Sequence, residues 1–388
     1  MLLKNGKIFT MEGSAIDKGN ILIEDKRIKK IIEGDIDIIH EKAIDLQGAW
    51  VFPGFIDAHT HLGIHEENMG FEGNDTNEST EPVTPHLRAI DAINPMDGCF
   101  KKAIRAGVTT VLTGPGSANV VGGTFAAIKT YGNVIDDMIV KETVGLKVAL
   151  GENPKRVYNG KGKMPMTRMG TAGLLREVLT KGKNYMTKKE IALEKGEFFE
   201  TDIRLEALIP VLRGDIPLKA HAHRADDIMT ALRIAKEFKV NITLDHCTEG
   251  HLIPEKIKES GAPALLGPAM HFNSKIELTN RTFKTARILS ETGVKFAIIT
   301  DHPVVEIQYL PMSAGLCVQA GLKEEEAFKA ITIYPAEIAG IENRVGSIKE
   351  GKDADIAIFD GNPLHNTSKV LYTIINGKIV YDYSKDNE

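Results

Sequence analysis

The residues with the clearest chemical potential are His59 and His61, which close the apolar run Phe52-Pro53-Gly54-Phe55-Ile56-Asp57-Ala58 as His-x-His. Side chains on a strand repeat every two residues, so both imidazoles point to one side. Two imidazoles on one face make half of a nitrogen site suited to zinc and similar metals. Later apolar runs end in the same residue types: Leu218-Lys219-Ala220-His221-Ala222-His223, Thr243-Leu244-Asp245-His246 and Ala297-Ile298-Ile299-Thr300-Asp301. Any one of these alone reads equally well as a satisfied core histidine or a helix-capping aspartate. Their order and shared placement point instead to one centre for divalent metal. One or two ions per chain are expected, zinc first, with manganese or iron as alternatives.

Such a centre needs strands that converge. Short apolar runs at 51–61, 108–113, 144–152, 218–223, 241–246, 264–267 and 296–301 alternate with helical periods, the signature of βαβ units and a parallel sheet. The expectation is α/β, a (β/α)8 TIM barrel, whose active site gathers at the C-terminal ends of its strands. One strand is hard to place. The segment 154–201, rich in Lys, Gly and Met, has helical stretches at 173–180 and 188–195 and reads as an excursion over the barrel mouth. The Gly-rich 113–124 lacks the endings of a phosphate-binding loop and reads as close backbone packing at the mouth, with a role in holding substrate left open.

The first and last fifty residues alternate apolar and polar positions instead, cut by turn signals such as Glu12-Gly13, Asp25-Lys26 and Glu33-Gly34. Both ends carry Asn-Gly-Lys-Ile, at 5–8 and 376–379, where Asn-Gly suits a tight hairpin. Residues 1–50 and 341–388 are therefore expected to build one small β-sandwich domain beside a catalytic barrel at 51–340.

The 388 residues, 42% hydrophobic and 26% charged, suit a globular protein with a large core. A net charge of −5 with scattered Lys and Arg argues against nucleic acid as a partner. The chain shows neither a bilayer-length apolar run nor a secretory opening, so the expectation is a cytoplasmic protein that does not engage membranes. The cysteines Cys99, Cys247 and Cys317 lie far apart and suggest neither a disulfide framework nor a thiolate zinc site. A small-molecule substrate is expected, and a homo-oligomer is left open.

His-x-His in strand one, His at the ends of strands five and six and Asp at the end of strand eight together resemble the amidohydrolase superfamily. The tail segments 331–336 and 344–355 and the opening Leu2-Leu3-Lys4-Asn5-Gly6-Lys7-Ile8 are similar to that family's sheet domain, so the resemblance covers almost the whole chain. It implies that His59, His61, His221 and His246 bind metal and that Asp301 is both ligand and catalytic acid/base. Many two-metal members bridge their ions with a carbamylated Lys at the end of strand four. No Lys is read in that place, although Lys147 is the competitor. The run Gly145-Leu146-Lys147-Val148-Ala149-Leu150-Gly151-Glu152 ends in Glu, similar to the Glu ligand of N-acetylglucosamine-phosphate deacetylases, and Glu152 is taken as that ligand.

His221-Ala222-His223 is similar to the strand-five motifs of imidazolonepropionases and metal dipeptidases, in which the first His binds metal. His223 would then face substrate, and the opposite assignment stays open. His65, His251, His271 and His302, near strand ends or in the loops that follow, are further candidate substrate contacts. A divalent ion lowers the pKa of bound water from about 15.7 to about 7 and polarises a carbonyl, while Asp301 would shuttle the proton. The implied activity is imidazolonepropionase-like hydrolysis of an amide or cyclic amide. A dipeptidase or N-acyl deacetylase is the alternative, and an inactive barrel used for binding or assembly is a third reading that metal content would separate.

Overall fold

The computed structural model describes residues 1–36 and 41–386; residues 37–40 and 387–388, parts of the expected terminal segments, lie outside the described residues. The alternating opening residues form β1 (Leu2–Ile8), β2 (Ile16–Glu24), β3 (Arg27–Glu33) and the short β4 (Ala43–Asp45). Asp25 and Lys26, at φ 46° and 68°, make the two-residue turn joining β2 to β3, with the positive φ at both central positions that a type I′ turn requires. Asn5-Gly6 behaves otherwise. The strand runs straight through it with a register shift, because a Cβ at Gly6 would come within 2.7 Å of Val51 and only glycine fits the bulge.

The run expected as one strand over 51–61 is two. β5 (Trp50–Pro53) pairs with β1 in the terminal sheet, and β6 (Phe55–Thr60) opens the barrel. The break falls at Gly54, whose backbone crosses so close to Thr109 that a Cβ would lie 2.1 Å from its Oγ1. β7 (Val108–Thr113), β8 (Val121–Lys129), β9 (Ile139–Ala149), β10 (Leu218–Ala222), β11 (Ile242–His246), β12 (Ala264–Leu266) and β13 (Phe296–Ile298) follow β6 as neighbours in chain order. Backbone hydrogen bonds from Asp301 to the His59 carbonyl (3.1 Å) and from His61 to the His302 carbonyl (2.8 Å) join the last strand's end to the first.

β8 is the strand that was hard to place. It pairs antiparallel with both β7 and β9, whereas the other barrel pairs are parallel. An antiparallel return needs no crossover helix, so the βαβ alternation gives no sign of it. The Gly-rich segment runs into this strand at Val121-Gly122-Gly123-Thr124, and Gly123 packs against the Leu87 carbonyl, 2.2 Å from where a Cβ would sit. Segment 154–201 contributes helices, Glu152–Asn159 and Arg168–Lys195.

After the barrel, β14 (Ile356–Phe359), β15 (Val370–Ile375) and β16 (Lys378–Asp382) complete the terminal sheet in the order β16-β15-β14-β5-β1-β2-β3, with β4 on β1. Ile8, Ile21, Val51, Ile356, Ile358 and Ile374 share its core, so the two chain ends form one unit, as their patterning predicts. A buried ionic seam ties this unit to the barrel: the Lys129 ammonium at the end of β8 donates to Asp355 and, at 2.9 Å, to Asp353. Among the described residues no helix is long and apolar enough to cross a membrane.

Candidate metal centre

A β-bulge in β6 aims the first two histidines. Asp57 pairs with Val111 and Thr60 with Thr113, leaving β6 one residue longer than β7 between those points. Ile56 and Ala58 share an apolar cluster with Leu112, Phe125, Leu265 and Ala297 from other barrel strands. Past the extra residue the inward parity switches to His59 and His61. Asp57 holds the bulge from the other side, accepting hydrogen bonds from the His59 amide (3.1 Å) and from the Thr300 amide and hydroxyl (3.0 and 2.6 Å).

The outer imidazole nitrogens of four of these histidines are tied down. His59 Nδ1 donates to Asp245 Oδ2 (2.7 Å), His61 Nδ1 to the Gly114 carbonyl (2.7 Å) and His246 Nδ1 to the Gly267 carbonyl (2.8 Å); His223 Nδ1 shares a hydrogen bond with the Thr248 hydroxyl (2.7 Å). Such partners set the tautomer and leave Nε2 as the lone-pair nitrogen. Those nitrogens converge. Asp301 Oδ1 lies 3.5 Å from His59 Nε2 and 3.3 Å from His61 Nε2. The ring centroids of His221, His223 and His246 lie 4.5–4.7 Å from one another, and His59 is 5.1 Å from His246.

Among the described residues two groups have metal-ligand spacing, His59 with His246 and Asp301, and His221 with His223 and His246. His221 tests the fit: both of its ring nitrogens are buried without a hydrogen-bond partner, as expected of a side chain whose natural partner is an ion. Electrostatics agree. Burial holds the His59 imidazole down at about 3 and His223 at about 4, and pushes His221 and His246 well below the usual range, so all are neutral donors at pH 7. Burial would raise the Asp301 carboxyl, but His246, His61 and His59 outweigh it and hold it ionised.

The backbone is strained here. His246, Cys247 and Asp301 sit at φ 74°, 45° and 55°, a left-handed conformation costing a non-glycine residue of order 1–3 kcal/mol. Ladder bonds enforce it, from Cys247 N to the Ala222 carbonyl (3.1 Å) and from Asp301 N to the His59 carbonyl (3.1 Å).

The expected ligands His59, His61, His221, His246 and Asp301 are thus together. His223, expected as a substrate contact, joins His221 among the metal-spaced residues. Glu152 does not. β9 ends at Ala149, Gly151 turns the chain at φ 85°, and Glu152 begins a helix, its Oε1 accepting from the Glu277 amide at 3.2 Å. Lys147 occupies the interior instead: it is 1% exposed, and its Nζ lies 3.1 Å from His59 Nε2. Burial lowers its ammonium to about 8, against Asp245 and Asp301, which raise it. A readable signal was present, since a lysine between Leu146 and Val148 in the buried second half of the strand needs a polar interior to point into.

His302 is buried; its Nδ1 accepts from the Ile307 amide (3.2 Å), so the neutral ring carries its proton on Nε2, which has no acceptor. His271, His65 and His251 bond instead to Phe272, Thr76 and Thr285 and belong to neither group. Glu277 was not foreseen. It lies in the single 3-10 turn Ile276–Leu278, too short for a periodicity to mark it, yet its buried carboxylate stands 3.9 Å from His221 Nε2 and 3.7 Å from His223 Nε2.

An eight-stranded, mostly parallel barrel with a polyhistidine–aspartate centre at its strand ends, beside a sheet built from both termini, defines a class of barrel hydrolases. The chain belongs to the amidohydrolase family, whose members hydrolyse carbon–nitrogen bonds: it is 43% identical to an amidohydrolase of known structure from Thermotoga maritima MSB8, covering 98% of this chain and 99% of that one, with a TM-score of 0.95. The amidohydrolase family model matches residues 192–380. Amidohydrolase tasK of Hapsidospora irregularis is 29% identical over 94% of this chain, which spans 40% of that protein's length. An imidazolonepropionase of Picrophilus torridus is 27% identical over 99% of both chains.

Proposed function

We propose that this protein hydrolyses the C–N bond of an amide or cyclic amide in a small substrate, in the manner of imidazolonepropionases, with a zinc centre held by His59, His61, His221, His223, His246 and Asp301. The observation that carries the reading is the convergence of these imidazoles, four of them fixed by a hydrogen bond at Nδ1, on the Asp301 carboxylate. Imidazole-rich sites of this kind suit zinc. A bound divalent ion would lower the pKa of water and polarise the scissile carbonyl.

The chain's own residues do the rest. Asp301 is ionised beside the ligand nitrogens, so it can accept a proton as the water oxygen bonds to the carbonyl carbon. The same carboxyl returns that proton to the nitrogen as the C–N bond breaks. Lys147, uncharged in part at neutral pH with its Nζ 3.1 Å from His59 Nε2, could take up carbon dioxide and supply a carbamate ligand if two ions are bound. His302 can offer its free Nε2–H to a substrate acceptor.

The test is elemental analysis followed by a hydrolysis screen of the metal-loaded protein against imidazolones, hydantoins, lactams, N-acyl amino acids and dipeptides. Hydrolysis of an imidazolone or another cyclic amide supports the reading. Turnover confined to dipeptides or N-acyl amino acids would replace it with a dipeptidase or deacetylase. Asp301→Asn should lower kcat on any substrate found by about 10²–10⁴-fold, the usual worth of general acid–base help.

A further inference from the structure

Glu277 is a charged group that the hydrolytic reading leaves without a task. Its side chain is fully buried, at 0% exposure, and its Oε1 has no hydrogen-bond partner. An ionised carboxylate in such a place is costly unless a cation meets it. Three nitrogens surround that oxygen: His221 Nε2 at 3.9 Å, His223 Nε2 at 3.7 Å and Lys275 Nζ at 3.6 Å.

The carboxylate is also held in place. Its Oε2 accepts the Glu152 amide at 3.0 Å, while the Glu277 amide donates to Glu152 Oε1 at 3.2 Å, a reciprocal clamp between the start of the Glu152–Asn159 helix and the 3-10 turn Ile276–Leu278. The clamp leaves Oε1 turned toward the two histidines. Four-coordinate zinc with bonds of about 2.0–2.1 Å places its ligand atoms about 3.4 Å apart, so closing onto an ion needs shifts of only a few tenths of an ångström.

We propose that Glu277 is a direct carboxylate ligand of the ion held by His221 and His223, with Glu152 as the residue that positions it. The inference rests on the metal-centre reading above and adds a ligand to it. Lys275, 20% exposed at its side chain, is the competing cation, and its long stem can swing outward when an ion enters.

The test is calorimetric titration of the metal-free, full-length protein with Zn2+, alongside Glu277→Gln and Lys275→Met. Glutamine keeps the shape and can still accept the Glu152 amide, so the metal-free variant should melt as wild type does. The expected result is that Glu277→Gln weakens one ion at least tenfold, while Lys275→Met leaves it as tight or tighter. Cobalt(II) substituted into the same site should show an altered visible spectrum in Glu277→Gln. If the glutamine variant melts early, Glu277→Asp repeats the test, since a carboxylate one methylene short must weaken the same ion. Unchanged stoichiometry and affinity in these Glu277 variants would overturn the inference and leave the proposed function standing. A wild-type protein that binds no divalent ion would overturn both.

Discussion

Replacing Lys129 by Met isolates the seam between barrel and terminal sheet. The Lys129 ammonium and the carboxylates of Asp353 and Asp355 are all 2–3% exposed. Asp353 keeps other cations, Arg344 at 2.9 Å and Arg27 at 2.7 Å. Asp355 keeps only the Asn376 amide at 2.9 Å among the described residues, so the variant leaves it as a buried charge without a counterion. Removing one partner of a buried pair costs about 3–5 kcal/mol. An unfolding entropy of about 2.1 cal/mol/K per residue gives about 0.8 kcal/mol/K for this chain, so Tm should fall by about 4–6 °C at pH 7.

The pH dependence carries a sign. Burial raises the Asp353 carboxyl, but Lys129, Arg344 and Arg27 together bring it below its ordinary 3.8. A carboxyl depressed in the folded state stabilises above its unfolded pKa and loses that contribution as pH falls through the folded one. Lys129→Met removes the largest of these favourable contributions while Arg344 and Arg27 remain, so its deficit should be full at pH 7 and shrink only as pH falls below 3.8. Calorimetric melts of both proteins at pH 7 and pH 3.5 measure this, with Lys129→Met/Asp355→Asn expected to recover more than half of the loss at pH 7. A Tm drop below about 1 °C at pH 7, or one that does not change with pH, would refute the reasoning.

Three further outcomes are expected. His59→Ala and His246→Ala should lose metal together with activity, and full occupancy in both by elemental analysis would make them core histidines. Wild-type protein equilibrated with 13C-bicarbonate should show a carbamate carbonyl resonance that Lys147→Met lacks; its absence in metal-loaded wild type would remove Lys147 as a bridge. Deleting residues 1–40 should make the chain insoluble, because it strips three strands from a sheet that β14–β16 cannot complete; an unchanged melting temperature would contradict the shared sheet.

Sequence alone carried the ligand types, because strand periodicity and apolar flanks are local properties. His59, His61, His221, His246 and Asp301 each end an apolar run, and a chain that buries such a run must bring its end to a rim. The pairing of the two termini was legible for the same reason, since both ends alternate with period two. Partners separated far along the chain were not. Whether Lys147 or Glu152 enters the centre depends on where β9 stops and on the positive φ of Gly151, which the run of residues around them does not reveal. The antiparallel sense of β8, the bulge that turns His59 inward and the meeting of Glu277 with His221 and His223 are matters of packing. They follow from which strand lies beside which, and only the closed barrel decides that.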